Sequence, residues 1–261
     1  MKLIRRLSLT FTLLLAALFI APSAALAALA IGASAQGQGS GTTAVATSSV
    51  TTQATGSTFA VFVSSGAPSN YLAPTDNKGN TYALSPILSV TFNSPFGGGA
   101  VWVCQNCAGG AGHIFTANFT SSTSAVVIAV EVTSTGGAFG TLDQSASTSN
   151  LANVTTANSP SITPTQNNEV VLSFVAGSVG SNTTITDATG YNNILQVNAN
   201  GLTNGNGVAA VGGLVQTTAA ATNDVFTIGA STNAGTATLS FKPNVPTFPG
   251  PSLGLWPPKR F

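Results

Sequence analysis

Two cysteines lie close together at Cys104 and Cys107, and they are the only cysteines in the chain. Cysteines of an exported protein meet an oxidising compartment, so this Cys-x-x-Cys pair predicts a local disulfide. A redox role would need a thioredoxin-like βαβ pattern, which the sequence lacks. Haem attachment would need a histidine where Ala108 stands, and a zinc site needs four ligands, of which only His113 is near in sequence. We therefore expect no metal and no cofactor at this pair.

His113 is the sole histidine, so any Ser-His-Asp or Cys-His mechanism would have to use it. No Gly-x-Ser-x-Gly turn lies around it. Its alternation with Phe115 and Phe119 favours a residue near the end of a strand that packs against the core. We expect no catalytic residue in this chain.

The carboxylates are few, and those of interest are Glu131, Asp143, Asp187 and Asp224. Of these, Glu131 and Asp143 are the candidates for ligand binding. Glu131 stands between Val130 and Val132, so it points to the opposite face of its strand. Two carboxylates brought together by the fold could act as a glycosidase acid and base, or could bind Ca²⁺. The alternative is that they occupy edge and turn positions, where they keep the sheet soluble.

Aromatic residues are the other candidates for ligand binding, because a flat ring can stack on a sugar. Tyr82 and Tyr191 are the predicted members of this set, together with Tyr71. Trp102 stands between Val101 and Val103 in an apolar run, which predicts a core position instead.

The composition is unusual for a soluble protein because only 5% of the residues are charged, while 43% are hydrophobic. Apart from the two ends of the chain, Lys78 and Lys242 are the only basic residues besides His113. Two lysines cannot neutralise a row of phosphates, which argues against nucleic-acid binding. Low charge also weakens self-repulsion and permits close association with copies of the chain or with neutral surfaces.

The two ends of the chain differ from its body. Residues 1–27 have a basic start, an apolar run and a final Ala-Leu-Ala, the order of a cleavable secretory signal. A second cleavage site follows Ala35, and an uncleaved membrane anchor is the alternative, since apolar residues continue to Ile31. Residues 244–261 form a proline-rich tail, which is either a stiff spacer or a docking peptide. We expect a secreted protein with one β-sandwich domain at 28–243 and no membrane contact after cleavage.

The body predicts many short strands separated by polar turns, and no helical period lasts more than a turn or two. This pattern is typical of an all-β, antiparallel two-sheet sandwich or jelly roll. No period of 20 to 50 residues repeats, which argues against a solenoid or a propeller. The predicted strands are 57–64, 100–104, 113–120, 125–132, 170–176, 223–228 and 236–242, with a further strand starting at Thr81 and Tyr82 after the turn at 76–80.

Several motifs resemble a diffuse group of exported bacterial β-sandwich domains, most of them uncharacterised. The motifs are Thr-Asp-Asn-Lys-Gly-Asn-Thr-Tyr at 75–82, Gly-Gly-Ala-Gly-His-Ile-Phe-Thr at 109–116, Val-Glu-Val at 130–132, Leu-Asp-Gln at 142–144, Ser-Ile-Thr-Pro at 161–164 ahead of Asn-Glu-Val-Val at 168–171, and Leu-Ser-Phe-Lys-Pro at 239–243. The resemblance covers about 28 to 243, and it implies a sandwich fold in an extracellular setting. It implies no activity.

Export, scarce charge and a surface of hydroxyl and amide groups together predict a structural or adhesive protein without enzymatic activity. Its expected partners are copies of itself or a surface polysaccharide, and residues 28–49 could be a strand exchanged between copies. The alternatives are a carbohydrate-binding module and, with less support, a secreted polysaccharide hydrolase.

Overall fold

The computed structural model describes residues 28–66, 70–92, 97–135, 138–178, 184–187, 190–198 and 207–244. These residues form two antiparallel sheets of six strands each, and no described residue is helical. The prediction of an all-β sandwich is therefore confirmed. In this part of the chain, no helix has the length and apolarity needed to cross a membrane. The predicted secretory signal at 1–27 lies outside the described residues, as does the proline-rich tail apart from Asn244.

The first sheet belongs to the first unit of the chain, which we define as residues 29–134. Its strands in space follow the order β1, β6, β2, β5 and β4, and β3 also pairs with β6. These strands are β1 (Leu29–Ala46), β2 (Ser57–Ser65), β3 (Tyr71–Asp76), β4 (Leu88–Thr91), β5 (Gly98–Cys107) and β6 (Phe115–Ser134).

The second sheet belongs to the second unit, residues 139–244. Its order is β7, β12, β8, β11 and β10, and β9 also pairs with β12. These strands are β7 (Phe139–Asn158), β8 (Glu169–Ser178), β9 (Ile185–Thr186), β10 (Asn192–Asn198), β11 (Gly207–Gln216) and β12 (Val225–Asn244).

The two units have the same connectivity. Adding six to each strand number of the first sheet gives the order of the second, including the extra strand beside β6 or β12. Isolated bridges repeat as well, with Val50 opposite His113 in the first unit and Ile162 opposite Thr222 in the second. The described part of the chain is thus an internal duplication in structure, with a period much longer than 20 to 50 residues.

Both units contribute to one central core between the sheets. Phe62, Ile128 and Val101 of the first sheet pack in the same cluster as Leu172 and Phe174 of the second. Strict alternation along the strands produces this layer, because every second side chain faces the opposite sheet.

Each sheet also has a covered outer face. On the first sheet Phe59, Val61, Trp102 and Phe115 form a separate apolar cluster. The long strand β6 makes this possible, because residues 115–119 pair with β3 and with the end of β1, whereas residues 125–134 pair with β2 and with the start of β1. The second sheet carries two smaller outer clusters, one around Phe226 and one around Ile162 and Tyr191.

Several predicted strands are confirmed, but four of them merge into two. The segments at 113–120 and 125–132 belong to one strand, β6, apart from His113 and Ile114, and those at 223–228 and 236–242 belong to β12 from Val225 onward. The prediction of a strand at Thr81 and Tyr82 is wrong, because β3 precedes the turn at 76–80 and no strand follows it until Leu88.

Alternation places Thr236, Thr238 and Ser240 on the face of β12 that points away from the central core. They are nevertheless buried, because the segment after β7 crosses above them. Thr236 and Thr238 donate hydrogen bonds to the carbonyls of Asn158 and Pro160. Residues 29–46, most of the segment 28–49 suggested as an exchanged strand, pair with β6 within the chain, and exchange between copies stays a prediction.

Candidate functional site

The same short sequence stands at the end of β3 and of β9, and its aspartate lies at equivalent points of the two units. The sequence is Thr-Asp-x-x-Gly, at 75–79 and at 186–190. Gly79 has a φ of 77° and Gly190 a φ of 99°, the left-handed region in which glycine carries no steric cost. Asp76 and Asp187 are therefore structural counterparts, and the site is best described by comparing them.

Asp76 is held by hydrogen bonds from its own turn. Its Oδ1 accepts the N–H groups of Lys78 and Asn80 at 2.9 and 3.1 Å, and its Oδ2 accepts the Asn80 amide and the Tyr82 hydroxyl at 2.9 and 3.0 Å. Burial of the carboxyl raises its pKa, but the hydrogen bonds outweigh burial, and the pKa of Asp76 is lowered overall. Asp76 is thus a stable carboxylate.

His113 faces this carboxylate from the bridge before β6. Its Nε2 lies 3.5 Å from Asp76 Oδ2, and its Nδ1 lies 3.0 Å from Thr52 Oγ1. The ring stacks on Phe115 with centroids 4.1 Å apart and meets the edge of Phe59. Desolvation lowers the pKa of His113, although the nearby negative charge of Asp76 acts in the opposite direction. The imidazole is therefore neutral at physiological pH.

Thr52, His113 and Asp76 have the order of a nucleophile, a base and an orienting acid. However, His113 is 0% exposed and Thr52 is 6% exposed, so a substrate has no open approach to the hydroxyl. Thr52 Oγ1 also accepts the N–H of Gly110 at 3.0 Å. The arrangement ties together three distant segments of the first unit, and this position of His113 agrees with the predicted core packing.

Asp187 has none of the partners of Asp76. Both of its carboxylate oxygens are buried, and neither accepts a hydrogen bond from a described residue. Instead it lies near a second buried carboxylate, Asp224, which accepts hydrogen bonds from the Ser173 hydroxyl and the Val225 N–H. Burial, followed by the negative charge of Asp224, raises the pKa of Asp187 to about 7.

A glycine allows the two carboxylates to converge. Gly212 of β11 lies opposite Ser173 of β8 in the ladder. A Cβ atom at Gly212 would collide with Asp224 Oδ2 and would lie 3.0 Å from Ser173 Oγ and 3.1 Å from Asp187 Cγ. These four residues form what we call the carboxylate pair site, on the outer face of the second sheet.

A buried carboxylate and a serine occupy swapped positions in the two units. The first unit has the carboxylate on β6 and the serine on β2, whereas the second has the serine on β12, the counterpart of β6, and the carboxylate on β8, the counterpart of β2. Glu131 of β6 accepts hydrogen bonds from the Ser57 hydroxyl at the start of β2 and from the N–H groups of Ala33 and Gln53, at 3.1 and 2.7 Å. In the second unit the carboxylate is Glu169 at the start of β8, and the serine is Ser240 of β12.

Glu169 accepts fewer hydrogen bonds from the residues around it than Glu131 does. Its Oε1 accepts the Gln166 N–H at 2.8 Å. Burial raises the pKa of Glu169, and the hydrogen bonds from Gln166 and Ser240 offset this only in part. Both glutamates are buried, and the loop that Glu131 binds covers the face to which its side chain points.

Asp143 lies beside a polar cleft near the last residues of β12. It forms an ion pair with Lys242 Nζ at 2.7 Å and accepts hydrogen bonds from the N–H and hydroxyl of Thr165. The cleft has a volume of about 380 Å³ and is lined by Thr141, Gln166, Lys242, Pro243 and Asn244. Burial raises the pKa of Asp143, but its contacts with Lys242 and Thr165 lower it overall. The amide, hydroxyl and ammonium groups that line the cleft suit a hydroxylated ligand.

The predicted sugar-stacking tyrosines are covered by protein. Tyr82 is 5% exposed and Tyr191 is 9% exposed, and their hydroxyls bond to Asp76 and Thr222. Neither ring offers a face to a sugar in this structure. Trp102 is a core residue, as predicted, and Cys104 and Cys107 form the predicted disulfide, with Cα atoms 6.0 Å apart.

Sequence reasoning missed Asp76 and Thr52 and did not connect Asp187 with Asp224. The available signal was the repeated Thr-Asp-x-x-Gly turn with a tyrosine shortly after it, at Tyr82 and Tyr191. In the described part of the chain, no group of three or more His, Cys, Asp or Glu side chains could hold a metal ion.

Comparison with protein-family models, with curated proteins and with solved structures finds no match.

Proposed function

We propose that this chain is an exported structural or adhesive protein without enzymatic activity, which acts at the cell surface or in an extracellular fibre or matrix. The observation that carries the proposal is where the charges lie. The side chains of five of the six carboxylates are at most 3% exposed, namely Asp76, Glu131, Asp143, Glu169 and Asp224. The surface is therefore even less charged than the composition indicates.

A surface of hydroxyl and amide groups has two physical consequences. Copies of the chain repel each other weakly, so close approach has little electrostatic cost. The described sheet edges also expose no acidic side chain of the kind that usually prevents strand pairing between molecules, because Asp143 of β7 and Asp76 of β3 are covered. Strand β7 is such an edge, and the exposed residues Ala152, Thr155 and Thr156 follow one another along it without a charge.

Sedimentation velocity and negative-stain microscopy of the full chain, after processing by an exporting host, test this proposal. We expect association that grows with protein concentration and changes little with salt. The variant Ala152→Lys with Thr155→Lys adds two charges to the β7 edge and should reduce association at least tenfold. The control Ala83→Lys with Ser85→Lys adds the same charge to an exposed loop and should not. Monomers at every concentration, or equal effects of the two variants, would contradict assembly through this edge.

Carbohydrate binding is the second candidate function, and the cleft beside Asp143 and Lys242 favours it. Its volume and polar walls fit one or two sugar units, and its ammonium group would favour an acidic sugar. A glycan array with the full chain tests this idea. We expect binding of uronate-containing glycans that Gln166→Ala and Lys242→Ala abolish and Ser85→Ala leaves unchanged. A blank array would remove this candidate while leaving the structural proposal intact.

A further inference from the structure

The two equivalent aspartates differ in how their charge is compensated. Asp76 receives four hydrogen bonds from its turn and faces the imidazole of His113. Asp187 receives none from the described residues. Thr222 occupies the bridge position that His113 holds in the first unit, so the second unit offers no base at this point. A buried carboxylate without a partner is costly unless a proton or a cation balances it.

The surroundings of Asp187 supply oxygen atoms. Asp224 contributes a carboxylate, and Ser173 contributes a hydroxyl whose oxygen is 3.5 Å from the Gly212 carbonyl oxygen. Carboxylate, hydroxyl and carbonyl oxygens are the hard ligands that Ca²⁺ takes in flexible geometry, whereas Mg²⁺ dehydrates reluctantly and demands a stricter arrangement. The soft ligands that favour zinc or copper are missing from these four residues.

The absence of a side chain at Gly212 also suits a site in which two carboxylates converge. The missing side chain leaves the space in which the two carboxylates approach each other, and any Cβ there would collide with Asp224. Asp187 is only half-buried as a residue, so the site lies close to solvent although its oxygens are covered.

We propose that Asp187 and Asp224, with the Ser173 hydroxyl and the Gly212 carbonyl, form a binding site for a divalent cation, with Ca²⁺ preferred over Mg²⁺. The ion takes the place in the second unit that the His113 contact has in the first, and it removes the repulsion between the two carboxylates. The site is independent of the proposed structural or adhesive role, because no step of the argument uses that role.

The test uses the full chain, stripped of metal with a chelator and held at about pH 8, above the pKa of about 7 of Asp187. Adding CaCl₂ to about 5 mM should raise the melting temperature by about 4 °C, and MgCl₂ should raise it less. Terbium should also bind, with luminescence excited through Tyr191, whose hydroxyl lies 3.0 Å from that of Thr222, two residues before Asp224. CaCl₂ should displace the terbium.

The variants separate binding from folding. Asp187→Asn and Asp224→Asn should each weaken terbium binding at least tenfold, and Asp187→Asn should abolish the shift in melting temperature caused by CaCl₂. The control Asp143→Asn removes a carboxylate whose cationic partner is Lys242, and it should leave the response to CaCl₂ unchanged. If Asp224→Asn fails to fold, the wild-type titration and Asp187→Asn still decide the question.

Two results would overturn the proposal. The first is a wild-type melting temperature that CaCl₂ does not change but that rises as the pH falls from 8 to 5, since the pair would then share a proton and need no metal. The second is a response to CaCl₂ that survives in Asp187→Asn.

Discussion

The first and second units of this protein have the same strand connectivity but hold their buried charges in opposite ways. In the first, Asp76 accepts hydrogen bonds from its own turn and lies 3.5 Å from His113, and Glu131 accepts hydrogen bonds from loop and strand residues around it. In the second, Asp187 has no described donor and lies near another carboxylate, and Glu169 accepts a single backbone N–H. The comparison teaches that the fold depends on the apolar alternation and the strand order, because the polar contacts can be exchanged while the topology stays the same.

The largest expected difference between the units concerns the two buried glutamates. Glu131→Gln should lower the free energy of unfolding by about 3 kcal/mol, because it disturbs three hydrogen bonds to a buried carboxylate. Glu169→Gln should cost about 1 kcal/mol, since burial already raises the pKa of this carboxyl toward the neutral form that glutamine imitates. Urea unfolding of the full chain measures both. Equal losses would mean that the two glutamates are equivalent after all.

Replacing each of the two turn aspartates by asparagine should change the free energy of unfolding in opposite directions. At about pH 8 without metal, Asp76→Asn should destabilise the protein by about 2 kcal/mol, because it weakens several hydrogen bonds to a carboxylate. Asp187→Asn should stabilise it by about 1 kcal/mol, allowing for solvent screening, because it removes a repulsive charge. Thermal and urea unfolding of the two variants check this. Destabilisation of similar size in both would contradict the assignment of Asp187 as an uncompensated charge.

The disulfide belongs to the first unit alone, and it should matter less than the Glu131 contacts. Replacing Cys104 and Cys107 by serine should lower stability by about 2 kcal/mol, the value expected for a short closed loop. A reducing agent should shift the unfolding midpoint of the wild type by a similar amount and should leave the serine variant unchanged. If the reducing agent leaves the unfolding midpoint of the wild type unchanged, the disulfide contributes nothing to stability.

The smallest expected effect is the pH dependence, in which the units act against each other. The folded pKa of His113 is lowered, so its contribution to stability is present above the unfolded pKa of about 6.5 and is lost as the pH falls below it. The folded pKa of Asp187 is raised, so its contribution has the opposite sign, and stability grows as the pH falls from about 7 towards 4.

Variants separate these two contributions. In metal-free Asp187→Asn, stability should fall by about 1 kcal/mol between pH 7 and pH 5, whereas in His113→Gln it should rise over that range. Urea unfolding at several pH values provides the measurement. Parallel profiles in the two variants would show that neither residue controls the pH dependence.

The apolar layer of the fold could be predicted from the sequence. Val170, Leu172 and Phe174 alternate in β8, and they lie in the central core as the pattern predicts. The merging of two predicted strands into β6 could not be predicted, because the polar residues 120–124 resemble a turn although the backbone stays extended through them.

The burial of the outer faces could not be predicted from the sequence pattern either. Thr236 and Thr238 alternate with core residues, as solvent-facing residues do, and only the covering segment after β7 makes them buried donors. The polar contacts depend on this same covering. Asp76 meets His113, and Glu131 meets Gln53, across long stretches of chain, so the strand order must be known before these pairs can be recognised.

A carboxyl-detected NMR titration of the metal-free full chain tests the central comparison most directly, since it follows each aspartate separately. We expect Asp187 to titrate at about pH 7 and Asp76 below its ordinary value, and we expect CaCl₂ to move the midpoint of Asp187 well below 7. If both aspartates titrate at the same ordinary value, with or without CaCl₂, the two units do not differ in the way described.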